Sequence, residues 1–269
     1  WSTTPSAADL VGTDIRVTTG TSSPYEIPRE LVFASSTLET GELHFKAPII
    51  SSTTDTTFRI YYNGTTTGDY TDSATYGAEN VWTNNYEAVY HFNTNPGGAN
   101  DLVDSTGNSY NGTSRNSLNP ATTGRLGNAW EFDGTTEHAD VTAAALGQAS
   151  LTISSWSRFD SFSQTTFGNS SNSKGATIFS TRTNDGDRSP TLLTSVDAGG
   201  AGTQQGLIFS YDTSGAAVGA KGATALQSGT WYHSVGRFER TGSGVYGGDW
   251  DVFLNATQHN ATTNNFSLA

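Results

Sequence analysis

Trp231-Tyr232-His233-Ser234-Val235 and Trp250-Asp251-Val252-Phe253-Leu254 decide the fold class. In the first stretch Trp231, His233 and Val235 alternate with Tyr232 and Ser234. In the second, Trp250, Val252 and Leu254 alternate with Asp251 and Phe253. Side chains two apart share one face of a strand, so this spacing sends one set into a core and the other outward. The same period runs through Phe58, Ile60 and Tyr62, set against Arg59 and Tyr61. Shorter apolar segments at 89–92, 151–153, 177–179 and 207–209 predict further strands. Helix-like patterning is confined to single turns at 6–10 and 143–146, which read as connectors. The chain is expected to be all-β.

Composition agrees, after one objection is met. Leu, Ile, Val and Phe supply about 18% of the residues, near the level associated with disorder. Disorder also needs a high net charge, and -12 over 269 residues is mild. Aromatics at 11% and 30 Gly point instead to short strands joined by tight turns. The acidic balance, with pI ≈ 4.6, removes the basic footprint that phosphate binding requires, so nucleic acid is excluded as a partner. No apolar run is long enough for a spanning helix, and membrane insertion is not expected. With Cys at 0, disulfides, thiolate metal sites and cysteine nucleophiles drop out together.

The stretch 63–80 is rich in Gly, Thr, Ser and Asp and has little to bury, which makes it the candidate boundary. It separates a small N-terminal β-domain, 1–78, from a larger unit, 79–269. A second polar stretch, 161–175, reads as a surface loop within the larger unit.

From Trp82 onward the chain resembles the laminin-G-like domains of the concanavalin A-like lectin/glucanase superfamily. The resemblance rests on Val89-Tyr90-His91-Phe92, Asp104-Ser105-Thr106-Gly107-Asn108, Asn111-Gly112-Thr113 and Gly127-Asn128-Ala129-Trp130-Glu131-Phe132-Asp133-Gly134. Leu151-Thr152-Ile153-Ser154-Ser155-Trp156, Thr230-Trp231-Tyr232-His233 and Trp250-Asp251-Val252-Phe253-Leu254-Asn255 complete it. The preceding residues resemble an uncharacterised domain that often stands ahead of such modules in prokaryotic and phage surface proteins. Its carriers are Pro24-Tyr25-Glu26-Ile27, Phe45-Lys46-Ala47-Pro48, Asp55 to Gly64 and Tyr76 to Trp82. Together the resemblances imply a small β-sandwich-like domain followed by a laminin-G-like jelly-roll sandwich with a surface or adhesive role. Such sandwiches usually continue past the strand at 250–255 to a Gly-rich closing segment, and nothing like it follows here. The expectation is therefore a sandwich lacking its closing strands, with the rest supplied by a longer polypeptide or a neighbouring chain.

Several motifs carry chemistry in principle. Glu131 and Asp133 have the parity of same-face strand positions, the spacing that a retaining glycosidase needs, but Glu137 follows a turn at Gly134-Thr135-Thr136. Asp101, Asp104, Asp133 and Asp140 have calcium-type oxygen chemistry on Gly- and Asn-rich loops, with Asp104 and Asp133 as the chosen ligands. The competing reading is that such Asp side chains organise turns by bonding their own backbone. His91 and His233 lie in strand patterns and are expected to be hydrogen-bonded within the sandwich, since no H-E-x-x-H pattern accompanies them. The glycine spacing at 242–247 matches a dinucleotide-binding loop but sits between two strand patterns, which makes it a hairpin loop. No G-x-S-x-G elbow occurs. Trp82, Tyr86, Tyr110 and Tyr246 are candidate stacking platforms for sugars. The acceptor sequences at Asn63, Asn111, Asn169, Asn255, Asn260 and Asn265 are about as many as chance supplies in a chain this rich in Asn, Ser and Thr.

The reading that follows is a non-enzymatic extracellular module, on a cell or virion surface, that recognises glycan or another cell-surface polymer or mediates adhesion. The alternative is a structural subunit of a filament, cell-surface layer or virion appendage, partnered by neighbouring protein chains. A glycoside hydrolase built on Glu131 and Asp133 ranks third. Calcium is the one cofactor expected.

Overall fold

The alternating stretches form strands, and the chain is all-β. The computed structural model describes residues 13–35, 40–62, 64, 68–141, 150–160, 176–180, 190–196, 205–213, 216–222, 224–241, 248–259 and 265–266. The expected turns at 6–10 and 143–146 and the loop at 161–175 lie outside these residues. The chain divides into two compact units, Trp1–Ala143 and Ala144–Ala269. The boundary expected after residue 78 falls inside the first of them.

In the first unit the strands are β1 (Arg16–Thr19), β2 (Tyr25–Ile27), β3 (Arg29–Ser35), β4 (Thr40–Phe45) and β5 (Phe58–Tyr61). They are followed by β6 (Gly112–Arg115), β7 (Thr122–Thr123), β8 (Asn128–Ala129) and β9 (His138–Val141). Strand β1 is central in an antiparallel sheet of order β2-β1-β5, with Val17 fully buried opposite Ile27 and Ile60. Strands β3 and β4 form a hairpin whose register shifts between Leu31 and Phe33. A bulge of this kind places one residue more on β3 than on β4 and re-aims the side chains beyond it.

The described residues of the polar stretch at 63–80 are tied into the first unit. Its backbone is bonded to itself, with Gly77 N–H donating to Ala74 O at 2.8 Å and Glu79 N–H to Asp72 O at 3.0 Å. Side chains then fasten it to the strands. The Arg29 guanidinium, itself buried, reaches Asp69 at 2.5 Å, and Arg16 donates to Gly68 O at 2.6 Å. A side chain at Gly77 would meet Thr71 O at 2.2 Å, so this turn closes only around glycine. Charge and backbone bonding do here what apolar burial does elsewhere.

The segment expected as a strand at 89–92 forms no strand. Phe92 has φ of 54°, in the left-handed region, which ends any regular ladder. Its alternation has another cause. Tyr90 and Phe92 pack on the cluster of Leu102, Leu118 and Trp130, while His91 turns to Glu30 on β3.

The second unit contains β10 (Leu151–Arg158), β11 (Thr177–Ser180), β12 (Pro190–Val196), β13 (Gln205–Thr213) and β14 (Ala216–Lys221). Strands β15 (Trp231–Arg240), β16 (Gly248–Leu254), β17 (Thr257–His259) and β18 (Asn265–Phe266) complete it. They make two antiparallel sheets, of order β10-β15-β16-β17 and β11-β12-β13-β14-β18. The sheets pack through Leu192, Leu207, Phe209, Phe238, Trp250 and Val252, all nearly or fully buried. Phe238 and Trp250 stack at 4.4 Å between centroids, and Phe209 meets Trp250 at 5.2 Å. Gly236 lies where β15 faces Phe209 of the opposite sheet. A Cβ there would fall 2.5 Å from the Phe209 ring, so glycine sets the closeness of the two sheets. Strands β15 and β16 pair from Arg240↔Gly248 onward, and the glycine-spaced residues 242–247 between them lie outside the described residues.

Candidate functional site

Three places hold chemistry-bearing side chains at close range. The outward face of the four-stranded sheet in the second unit follows from register. Strand β10 exposes Thr152, Ser154, Trp156 and Arg158 while Leu151 and Ile153 pack on the core. Opposite them on β15 stand Arg237, Val235, His233 and Trp231. Trp156, 42% exposed, lies 5.2 Å from the His233 ring at an interplanar angle of 32°. His233 is held by Ser154 Oγ at 2.8 Å. The Arg158 guanidinium sits 5.6 Å over the Trp231 ring, a cation–π contact that also orients the indole. The result is an aromatic and polar strip on one sheet face, with Phe253 and Gln258 extending the row through Val235. His233 is hydrogen-bonded in its strand, as the sequence predicts.

The second place lies in the first unit and was not visible as a unit in the sequence. Glu42 and His44 occupy β4 two residues apart, on one face, and Glu30 stands directly opposite His44 on β3. His44 Nε2 and Glu42 Oε1 are 2.8 Å apart, and His91 Nδ1 lies 3.6 Å from the same oxygen. The other nitrogen of His91, Nε2, meets Glu30 Oε2 at 3.1 Å. Trp82 Nε1–H also donates to Glu30 Oε2, at 2.6 Å. The rings close the cluster: His44 and His91 centroids are 5.0 Å apart, and Trp82 lies 5.2 Å from His44. Tyr86, half exposed, meets Trp82 edge-on at 5.1 Å.

Electrostatics in this cluster are strongly coupled. Burial would lower the His91 pKa, but hydrogen bonds and charge from Glu30 and Glu42 win and push it up to about 9. The His44 hydrogen bond, then that of His91, outweighs burial at Glu42 and holds its carboxyl down to about 2. At Glu30 burial acts upward, yet the contacts to His91, Ser105 and Trp82 keep its pKa below the ordinary value. One ligand atom each from Glu42, His44 and His91 lies within 4.8 Å of the others. This was the sole grouping of its kind among the described residues.

The third place is the set of acidic loops chosen from the sequence. Asp104 Oδ1 accepts from Val89 N–H at 3.0 Å and Thr106 N–H at 2.9 Å, and Oδ2 from Tyr110 N–H at 2.9 Å and the Thr106 hydroxyl at 2.8 Å. Asp133 Oδ1 accepts from the N–H groups of Thr135, Thr136 and Glu137, and the Thr135 hydroxyl donates to Oδ2 at 2.5 Å. The Thr135 hydroxyl bond and the three backbone donors hold the Asp133 carboxyl well below the usual carboxylate range. Asp101 is bound in the same way by Gly97, Gly98 and Ser114. Asp140 instead pairs with Arg115 at 2.7 Å. Both chosen calcium ligands therefore serve as acceptors that shape their own loops. Residues 131–137 form no strand, so the same-face parity expected of Glu131 and Asp133 does not arise, and Glu137 instead accepts from Asp133 N–H at 2.7 Å. Of the stacking platforms, Trp82 and Tyr86 join the His/Glu cluster, Tyr110 is partly buried, and Tyr246 lies outside the described residues. Trp156 was the exposed indole that alternation alone could have named, since it has the outward parity in β10. In comparisons with protein-family profiles, curated proteins and solved structures, the chain has no significant match.

Proposed function

We propose that the protein is a non-enzymatic extracellular module that recognises glycan or mediates adhesion through the outward face of β10 and β15. The observation that carries this reading is the strip of Trp156, His233, Trp231 and Arg158. A sugar ring presents an apolar face and a rim of hydroxyls, and an exposed indole beside fixed imidazole, guanidinium and hydroxyl groups complements both. A row of side chains across neighbouring strands also suits an extended polymer. The laminin-G-like resemblance of the sequence from Trp82 onward supports the same class by fold-level analogy.

The test is a glycan array and polysaccharide pull-down with the purified chain, with and without millimolar calcium, alongside Trp156→Ala. Binding that falls at least about fivefold in the variant supports the reading, since losing one aromatic stack costs about 1–3 kcal/mol on the scale of base stacking. Uniform absence of binding in both conditions overturns it. Binding that strictly requires calcium, and that Asp104→Ala or Asp133→Ala abolishes, would instead move the contact to the acidic loops.

A second reading, a structural subunit of a filament, surface layer or virion appendage, is favoured by one observation. Ile49 and Ile50 are 76% and 73% exposed side by side, an apolar pair of the kind that neighbouring copies cover. Electron microscopy of the protein in its native assembly distinguishes the two: ordered arrays favour the subunit, and dispersed monomers favour the binding module.

A further inference from the structure

The His/Glu cluster of the first unit is more than an ion-pair network. We propose that Glu42, His44 and His91 bind one divalent first-row transition-metal ion, zinc in the first instance, with Glu30 as the carboxylate that orients His91. Three independent features of the geometry lead there.

The first is spacing. Zinc bonded to imidazole and carboxylate at about 2.0–2.2 Å in tetrahedral arrangement separates its ligand atoms by about 3.3 Å. Glu42 Oε1 lies 2.8 Å from His44 Nε2 and 3.6 Å from His91 Nδ1, values on either side of that edge. The third edge, between the two imidazole nitrogens, lies within the 4.8 Å that encloses all three ligand atoms.

The second is the partner of the far nitrogen. A metal-bound imidazole usually donates its other N–H to a carboxylate or carbonyl, which fixes the tautomer and the ring plane. His91 meets this requirement, because Nε2 faces Glu30 Oε2 at 3.1 Å while Nδ1 faces Glu42. Glu30 is itself held by the Trp82 indole N–H at 2.6 Å, so the orienting carboxylate is fixed in turn.

The third is charge and access. Glu30 and Glu42 place two carboxylates in a pocket where their side chains are 10% and 14% exposed. A dication balances them, and buried charge is costly unless balanced. His44, 30% exposed, is the open side of the cluster, and a water or oxygen ligand can complete the coordination from there. Two imidazoles and one carboxylate select zinc and its transition-metal neighbours over calcium and magnesium, which prefer oxygen-only sets. The site is thus distinct in chemistry from the Asp104 and Asp133 loops, though Ser105, next to Asp104, contacts Glu30.

The experiment is zinc titration of chelator-treated full chain by calorimetry, with cobalt(II) substitution read by visible absorption. Expected are one zinc per chain and the intense bands of tetrahedral cobalt. His44→Ala and His91→Ala should each weaken zinc by more than about 100-fold, and Glu30→Gln by roughly 10–100-fold, as second-shell carboxylates do. Glu30→Gln keeps the volume and the Trp82 contact, which guards against reading a folding failure as lost binding. No stoichiometric zinc at micromolar concentration overturns the proposal. So do binding unchanged in both histidine variants, and calcium competing as strongly as zinc. None of these outcomes bears on glycan binding at Trp156, which lies in the other unit.

Discussion

Replacing Arg237 with Met should destabilise the second unit by about 2–3 kcal/mol. Arg237 on β15 and Asp251 on β16 are directly cross-strand. Asp251 is 2% exposed, and its Oδ2 receives the Arg237 guanidinium at 2.7 Å and 2.5 Å, while Gln258 Nε2 donates to Oδ1 at 2.7 Å. Removing one partner of a buried pair typically costs about 3–5 kcal/mol, because the remaining charge stays desolvated. Arg237 is 44% exposed, so water reaches one side of the pair, and Gln258 still solvates one oxygen. Both effects set the expectation below that range. The assay is urea unfolding followed by tryptophan fluorescence, with a melting temperature as a second readout. For a unit of this size about 1 kcal/mol shifts the midpoint by roughly 3–5 °C, so a fall of about 6–15 °C is expected. The double variant Arg237→Met with Asp251→Leu should recover most of the loss, since no charge is then stranded. A single-variant loss below about 0.5 kcal/mol, or purely additive effects in the double variant, would refute the claim that Asp251 depends on its partner.

Two further outcomes are specific. Gly236→Ala should cost about 1–3 kcal/mol, because its Cβ would lie 2.5 Å from a Phe209 ring that is fully buried and has nowhere to move; a melting temperature equal to the parent would show that the sheets can separate. Asp101→Asn should lower stability at pH 7 by about 1–3 kcal/mol, because an amide cannot replace a charged acceptor of the Gly97, Gly98 and Ser114 donors. Burial raises the Asp101 pKa, but those hydrogen bonds outweigh it and bring it well below the usual range. The stabilisation is therefore complete above the unfolded value of about 3.9 and is lost as pH falls through the lower folded value. Denaturation curves of parent and variant should converge in strong acid, and a gap independent of pH would contradict the assignment.

Strands with a core on one side were legible because burial imposes its own period. Trp250, Val252 and Leu254 are buried as a set, whereas on β15 the buried set is Tyr232, Ser234 and Phe238 and the set of Trp231, His233 and Val235 is only half-buried. At 89–92 the same period arose without a ladder. There the alternation reports two different partners, an apolar cluster for Tyr90 and Phe92 and a carboxylate for His91. Period two states that neighbours face opposite ways, and hydrogen-bonded pairing is only one cause of that. The polar stretch at 63–80 is the complementary case. Low apolar content reads as a linker only when backbone polar groups are left to water. Here Asp69 and the Gly77 turn engage them through Arg29 and local hydrogen bonds.

The His/Glu cluster shows where such reading ends. Glu42-x-His44 is visible as a same-face pair, yet in a strand it is as common on a solvated face as in a site. What makes it chemical is Glu30, which the β3–β4 register sets opposite His44, and His91, brought in by a segment with no ladder of its own. Neither placement follows from local spacing. The bulge between Leu31 and Phe33 breaks strict alternation along β3, and it lets Glu30 and Phe33 face the same side as Glu42. Gly127 then fits against that face, since a Cβ would lie 2.7 Å from Phe33 and 3.1 Å from Glu42 Oε2. His91 reads as a hydrogen-bonded sandwich histidine, and it is hydrogen-bonded; the partner is an acid whose second role depends on what Nδ1 holds. Two nitrogens of one ring, each facing a carboxylate, are either a doubly compensated imidazolium or a metal ligand with its orienting acid. Coordination with zinc releases the proton that the imidazolium keeps, so a proton count that rises on zinc addition decides between them.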